Sequence, residues 1–407
     1  MRILMVTPLL PRPNATNAGA LIMRGHLDFL RTHHEVTLAT FAEPTPVENR
    51  AVAQLLALGV HLHVIHRARP SGIERWRRRG RIGVAWLTSG LPLHVLESAD
   101  PRQRMQGLIA RLLREEPFDL LQVESHVMGG FRYHPRPPAI LIEHDVGFGE
   151  TSDGQTGAVA GIRHALREAE LRRLRRYERK VWPRFDRIQV FTEHDAATIR
   201  ASTPTLAGRV RVNPFGIELS PLADPVHEDA RSIVFNGSFA HPPNVDAALW
   251  LGHEIMPLLR VRRPGVRLSL VGDNPPQAVR GLGCEDITVT GQVPTVEPYL
   301  ERAAVVLAPI RLGGGMRRKV LQGMALGKAV VTTPIGAEGL AVKGCLPPLI
   351  VARNAEEIAD AVVRLLDDAN ARHALGHRAH TFVAHYHSWT RYEQRLDALY
   401  AELLGTN

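Results

Sequence analysis

The 407-residue chain reads as an α/β protein, with two doubly wound, Rossmann-like domains facing a cleft. Three observations predict this. Apolar runs of strand length alternate with segments of helical period along nearly the whole chain. Glycine- and proline-rich turns follow several of those runs, at the strand carboxyl ends where such sheets hold ligands. The length suits two or three domains, each able to bury its own core, and 44% apolar with 22% charged residues is a soluble globular composition.

Residues 2–10 (RILMVTPLL) form a buried strand. A loop rich in Pro, Asn and Gly follows over 11–20 and ends near Gly19. Then come a helix over 21–32 and a strand over 35–41. This βαβ unit implies a parallel sheet. Further strands are expected at 60–65, 120–123 and 139–143. Residues 161–182 make a long helix, with Leu171, Leu174, Tyr177 and Val181 on one side, before a strand at 187–192 and a short helix at 193–201. The proline-bearing stretch 213–229 reads as a linker. Beyond it, strands at 232–236, 267–272, 287–290, 304–308 and 329–333 alternate with helices such as 245–261, and the tail 355–404 is mostly helical.

The most informative stretch is 309–340, PIRLGGGMRRKVLQGMALGKAVVTTPIGAEGL. Gly313, Gly314 and Gly315 let the backbone turn without a Cβ in the way. A helix is expected from Met316 to about Leu326, with Val320, Leu321, Met324 and Ala325 as its apolar face. Arg317, Arg318 and Lys319 fall in its first turn, where cations oppose the helix dipole by roughly 0.3–1 kcal/mol each. Free N–H groups, the positive dipole end and three cations point to a polyanionic ligand such as a diphosphate. A solvated helix start is the plainer reading. Gly327 reads as the cap that ends this helix.

The net charge of +9 and a pI near 10.1 favour anionic partners without choosing among them. An arginine-rich balance also follows from a GC-rich genome. With 5% aromatic residues, stacking surfaces for bases are sparse, and nucleic acid is not an expected partner. Cys284 and Cys345 form no metal or redox spacing, as in a reducing compartment. The opening residues lack the pattern of a secretory signal, and no run of about 20 apolar residues occurs. A cytoplasmic location is expected. The stretch 67–92 mixes five arginines between 75 and 81 with Trp76, Ile82, Val84, Trp86 and Leu87. It reads as a basic, tryptophan-bearing loop able to touch an anionic membrane at its inner face.

The G-x-G-x-x-G and G-x-x-x-x-G-K-[ST] fingerprints are absent, which disfavours redox Rossmann and P-loop chemistry. Glu143, His144 and Asp145 cluster at a strand end but lack the spacing of a zinc site, and no metal is expected. His126 and His144 each follow an apolar strand, where a histidine can meet a sugar hydroxyl or a developing charge. Glu338, in the turn from Gly336 to Gly339, can bind paired hydroxyls. Gln322 shares a helix face with Lys319 and can bond a ribose hydroxyl. The backbone near Val293 can hold a base. For each of these the plainer reading is a solvated or satisfied polar residue.

Taken together, these residues resemble the group 1, family-four nucleotide-sugar glycosyltransferases of the GT-B fold. The run from Gly313 to Gln322, Met324 to Gly327 and Gly336 to Leu340 carry the resemblance. Asn236-Gly237-Ser238, Pro243-Asn244, Val271-Gly272 and Thr290 to Val293 support it. Met5 to Pro8 and Tyr177-Glu178 match more loosely.

The resemblance implies transfer of a sugar from a nucleotide diphosphate donor, UDP- or GDP-linked, with retention, without a metal and without a further cofactor. The acceptor, a sugar, a lipid-linked molecule or a small molecule, would sit on residues 1–212 and the donor on 213–385. The final segment, 386–407, would cross back to the first domain. Cell-surface glycan, glycolipid or glycoside synthesis is the implied role. His144, Arg317 and Lys319 would be catalytic. Gly19, His126, Gly237, Gly272, Val293, Gly313, Gly314, Gly315, Gln322, Gly336 and Glu338 would bind substrate.

The chain departs from the family at Gly314 and Gln322, where many members carry glutamates. It also carries His241 to Asn244 where many place an Arg and a Lys. A glutamate restored at 322 is expected to hold or raise donor affinity. A nucleotide-sugar epimerase on the same fold, or a weakened sugar-nucleotide-binding protein, are the alternatives.

Overall fold

The computed structural model describes residues 1–13, 15, 18–67, 71–147, 158–224, 227–313 and 317–405, with the backbone alone at 18 and 158–163. The chain divides into two compact units. The first holds the described residues of Met1–Gly149, Asp153–Asn213 and Asp397–Asn407, and the second those of Pro214–Leu396.

The first unit is built on a parallel seven-stranded sheet of order β3-β2-β1-β4-β5-β6-β7. Its strands are β1 (Arg2–Thr7), β2 (Glu35–Ala42), β3 (His61–His66), β4 (Leu120–Glu124), β5 (Ala139–Ile142), β6 (Arg187–Val190) and β7 (Val210–Val212). From Ile3 on, β1 is wholly buried between its neighbours, pairing Ile3 with Val36 on one side and with Leu120 on the other. Helices cover the sheet through apolar stripes. Arg102–Glu115, for example, buries Met105, Leu108, Ile109, Leu112 and Leu113 at helical spacing.

The second unit holds a parallel six-stranded sheet of order β10-β9-β8-β11-β12-β13. These strands are β8 (Asp229–Asn236), β9 (Arg267–Val271), β10 (Ile287–Gly291), β11 (Ala303–Ala308), β12 (Ala329–Thr332) and β13 (Ile350–Val351). Every residue of β11 is buried, which explains its unbroken apolar run. Each sheet has a point where strand order reverses, between β1 and β4 and between β8 and β11. Ligands bind at the carboxyl ends of strands around such points.

The last helix, Trp389–Leu404, contributes to both units. Trp389 and Tyr392 pack against Gly216 in the second. From Asp397 onward the helix belongs to the first unit, where Tyr400 Oη donates to Gln122 Oε1 and Glu402 pairs with Arg187 and Arg211.

Several expectations need correction. Within the stretch 67–92, read as a loop, Gly72–Ser89 is an 18-residue helix that ends at Gly90, whose φ of 68° carries no Cβ cost. No proline interrupts it, and its apolar residues recur at three- and four-residue spacing. Gly19 lies in the first turn of the helix Ala18–His33 rather than in the preceding loop. The helix expected over 245–261 begins at Pro242, which suits a first-turn position, and contains a π-helical turn at Leu251–Ile255 before Met256–Arg262. The edge strands β7 and β13, of three and two residues, are too short to leave a periodic signal.

Candidate functional site

In the second unit, three strand ends meet closely. Gly237 follows β8 and Gly272 follows β9. A Cβ on Gly272 would fall on the Gly237 carbonyl, so only glycine fits there. A Cβ on Gly237 would lie 2.7 Å from Lys319 Nζ and 2.8 Å from Asn244 Nδ2. The two glycines therefore open the space into which Lys319 and Asn244 reach. Gly313, past the end of β11, has φ of 88°, and its carbonyl accepts from Arg317 Nη2.

The basic helix runs Arg318–Ala325, with Arg317 at its N-cap and no side-chain cap. Its buried residues are Gly323 and the four that the periodicity marks, Val320, Leu321, Met324 and Ala325. Gly327 has φ of 71° just past the helix end. Gly314 and Gly315 lie outside the described residues.

Lys319 donates to Asn244 Oδ1, and its amine sits 4.5 Å from the centroid of the Phe235 ring. Asn244 in turn donates to the Ser238 carbonyl at 2.7 Å. Among the described residues no carboxylate pairs with Lys319. Burial, with the nearby charge of Arg317, pushes the amine down to about 7. Among the described residues the amine is held without a carboxylate counter-ion.

Gln322 is bonded on both sides of its amide. Its Nε2 donates to Glu297 Oε1 at 2.8 Å and its Oε1 accepts from Asn236 Nδ2 at 3.3 Å. The site thus has a carboxylate, but Glu297 supplies it from the helix Glu297–Arg302. A glutamate at 322 would face it as a like charge, so that change is expected to lower donor affinity rather than hold or raise it. Sequence reasoning missed Glu297 because nothing local ties residue 297 to 322; only the fold does.

Gly336 is buried, its N–H donating to Thr333 Oγ1 at 3.0 Å, and a Cβ there would strike Thr332 Oγ1. Glu338 is half-buried, and its carboxylate has no hydrogen-bond or ion-pair partner among the described residues. Val293 is half-buried, two residues past β10 and four before Glu297.

In the first unit, the ends of β4 and β5 carry a buried network of histidines and carboxylates. Glu124, fully buried, accepts from His26 Nδ1 through Oε1 and from His144 Nε2 through Oε2, each at 2.7 Å. Burial alone would raise this carboxyl, but the charge of His26 and the hydrogen bonds from both histidines bring it down to about 2. His144 packs edge-on to Phe191 at 5.5 Å.

His126 is 5% exposed, in the short helix Ser125–Gly129 after β4. Both of its ring nitrogens are engaged, Nδ1 with Glu143 Oε1 at 3.1 Å and Nε2 with His94 Nε2 at 2.9 Å. Burial opposes its charge, but Glu143 outweighs this and raises His126. Trp182 Nε1 donates to Glu143 Oε1 at 3.2 Å, while Glu143 Oε2 is buried without a partner. Burial pushes Glu178 up to about 7 and Asp145 up to about 6.

Among the described residues, one group of three metal-capable side chains comes together: His126, Glu143 and Glu178, with ligand atoms within 4.8 Å of one another. Of the chain neighbours Glu143, His144 and Asp145, Glu143 bonds His126 and Trp182 whereas His144 bonds Glu124. Gly19 is half-buried in its helix.

A family model described as Glycosyl transferases group 1 matches residues 230–368. The second unit carries a group 1 glycosyltransferase domain. A curated relative, an uncharacterized glycosyltransferase of Methanocaldococcus jannaschii, is 28% identical over 94 residues. That match spans 23% of this chain and about a quarter (24%) of the relative.

Solved structures resemble the chain over nearly its full length. HepE of Anabaena in complex with UDP and glucose gives a TM-score of 0.63 at 12% identity, covering 98% of this chain and 99% of that one. Sucrose-phosphate synthase of Thermosynechococcus elongatus gives 0.66 at 16% identity, covering 100% of each. At these identities the likeness establishes the GT-B fold: two α/β domains, each with a parallel sheet.

Proposed function

We propose that this glycosyltransferase moves a sugar from a nucleotide diphosphate donor, UDP- or GDP-linked, to an acceptor, with retention and without a metal. One observation carries the reading: the Lys319 amine, with no carboxylate partner among the described residues, sits beside Gly237 and near Arg317 at the β8/β11 switch point. A diphosphate supplies the missing counter-charge. As the glycosidic bond breaks, charge builds on the leaving nucleoside diphosphate, and cations fixed at that position lower the barrier most. Gln322 with Glu297, and Glu338, offer acceptors for ribose and sugar hydroxyls; Gly272, Gly313, Gly336 and Val293 offer backbone.

The first unit takes the acceptor, and His144 meets the reacting sugar. With Nε2 held by Glu124, the other ring nitrogen, Nδ1, is the one left for a hydroxyl. His126, bonded at both nitrogens, supports the site rather than touching substrate. The neighbours solved with UDP support a uridine donor. Among the described residues no helix is long and apolar enough to cross a membrane. The reading places the protein in the cytoplasm, with a peripheral contact at the inner face of the membrane through the helix Gly72–Ser89.

Incubation with UDP- and GDP-sugars, a panel of sugar and lipid-linked acceptors and a chelator tests this. A new glycoside, formed equally with and without chelator, is the expected product. An epimerised donor, or loss of turnover with chelator, overturns it.

A further inference from the structure

The helix Gly72–Ser89 shows two different faces. On the inner side Ile82 is buried, Trp86 Nε1 donates to Glu170 Oε2 at 2.8 Å, and the Arg173 guanidinium lies 3.9 Å from the centroid of the Trp86 ring. Arg78 Nε pairs with Asp100 at 2.9 Å. These contacts fix the helix on the first unit.

On the outer side Ile73, Trp76, Val84 and Leu87 are 73, 72, 62 and 70% exposed. With Gly80 they recur at three- and four-residue spacing, so they form one apolar stripe on the side away from Ile82. Four large apolar side chains so far out of the surface on one helix are not the scattered exposure of an ordinary soluble face. Arginines 75, 77, 78, 79 and 81 lie along the same helix, with Glu74 its sole acidic residue.

Beside this helix lies a cavity of about 580 Å³. Arg67, Arg77, Arg78, Arg81 and Arg104 line it. Two carboxylates, Glu74 and Asp100, oppose five guanidiniums there, so positive charge is in excess. Arg67 is held in place by the Pro8 carbonyl at 2.8 Å and by the Phe41 ring, 4.2 Å below it, while its buried Nε has no partner.

We propose that the cavity and the stripe together bind the phosphate head group of an anionic membrane lipid. The stripe enters the interfacial layer, and the arginines of the cavity hold the phosphate with paired N–H donors. The charge selects the occupant, because an apolar protein surface would leave five guanidiniums with two carboxylates. The inference deepens the membrane contact proposed above and rests on it for the source of the phosphate, but not on the donor reading.

The test is co-sedimentation of the full chain with vesicles of phosphatidylcholine alone or with one-quarter phosphatidylglycerol. Glycerol 3-phosphate serves as a soluble probe, read by thermal shift. Wild type should bind the anionic vesicles at least about tenfold better. Trp76→Ser/Leu87→Ser should lose vesicle binding but keep the shift with glycerol 3-phosphate. Arg77→Ala/Arg104→Ala should lose both.

Equal binding to both vesicles, or cavity variants that bind like wild type, would overturn the proposal. So would a shift with glycerol 3-phosphate but no vesicle binding, which would assign the site to a soluble phosphate ester. UDP binding, measured in parallel on each variant, should not change; that control separates failure of this site from failure of the donor site and from misfolding.

Discussion

Glu124 and His144 share a hydrogen bond of 2.7 Å, and the second oxygen of the same carboxylate holds His26 at the same distance. The three residues come from the end of β4, the turn after β5 and the helix Ala18–His33. A carboxylate accepts on both oxygens, whereas an amide accepts on one. Glu124→Gln should therefore leave one buried imidazole facing an NH₂ group. The expected cost is about 3 kcal/mol, seen as a lower urea midpoint with an unchanged slope. A variant that unfolds with wild type would show that the second carboxylate oxygen of Glu124 contributes nothing to stability.

Lys319 gives the donor site a pH dependence. Burial pushes its amine down to about 7, and in the proposed reading it is the charged form that binds the diphosphate. Raising the pH through 7 removes that charge from the free protein, so donor affinity should fall from pH 6 to pH 8. Calorimetric titration of UDP across this range measures it, and a flat profile would mean that Lys319 does not face the phosphates.

Gln322→Glu should weaken donor binding, because the new carboxylate would sit where the Gln322 amide now donates to Glu297 at 2.8 Å. Adding Glu297→Gln should restore most of the loss. Undiminished affinity in the single variant would place Glu297 away from the ligand side of Gln322.

Glu178 makes the stability of the first unit depend on pH. Burial raises its carboxyl from 4.5 to about 7, so the folded state binds the proton more tightly than the unfolded chain. Its contribution is fully present below pH 4.5 and is lost as the pH rises to about 7. Glu178→Gln should flatten the melting temperature over that window. The same slope in both proteins would assign the dependence to another group.

The alternation of strands and helices was legible because both sheets are parallel and buried, so strands such as β1 and β11 appear as unbroken apolar runs. The glycine positions were legible for a steric reason: Gly237, Gly272 and Gly336 stand where a Cβ would strike backbone or a neighbouring side chain. Partners across the fold were not. Glu297 meets Gln322 from 25 residues away, and His26 meets Glu124 from 98. No local pattern encodes such pairs. The helix Gly72–Ser89 is legible in the three- and four-residue spacing of its apolar residues, although most of them lie on its outer face.

The central claim is that Lys319 is a cation awaiting a diphosphate. The direct measurement is a thermal-shift panel of UDP, GDP, ADP and TDP on wild type and Lys319→Ala. One nucleotide should stabilise wild type, and the variant should bind it at least tenfold more weakly, about 1.4 kcal/mol. An equal shift in both proteins, or none with any nucleotide, would contradict the claim.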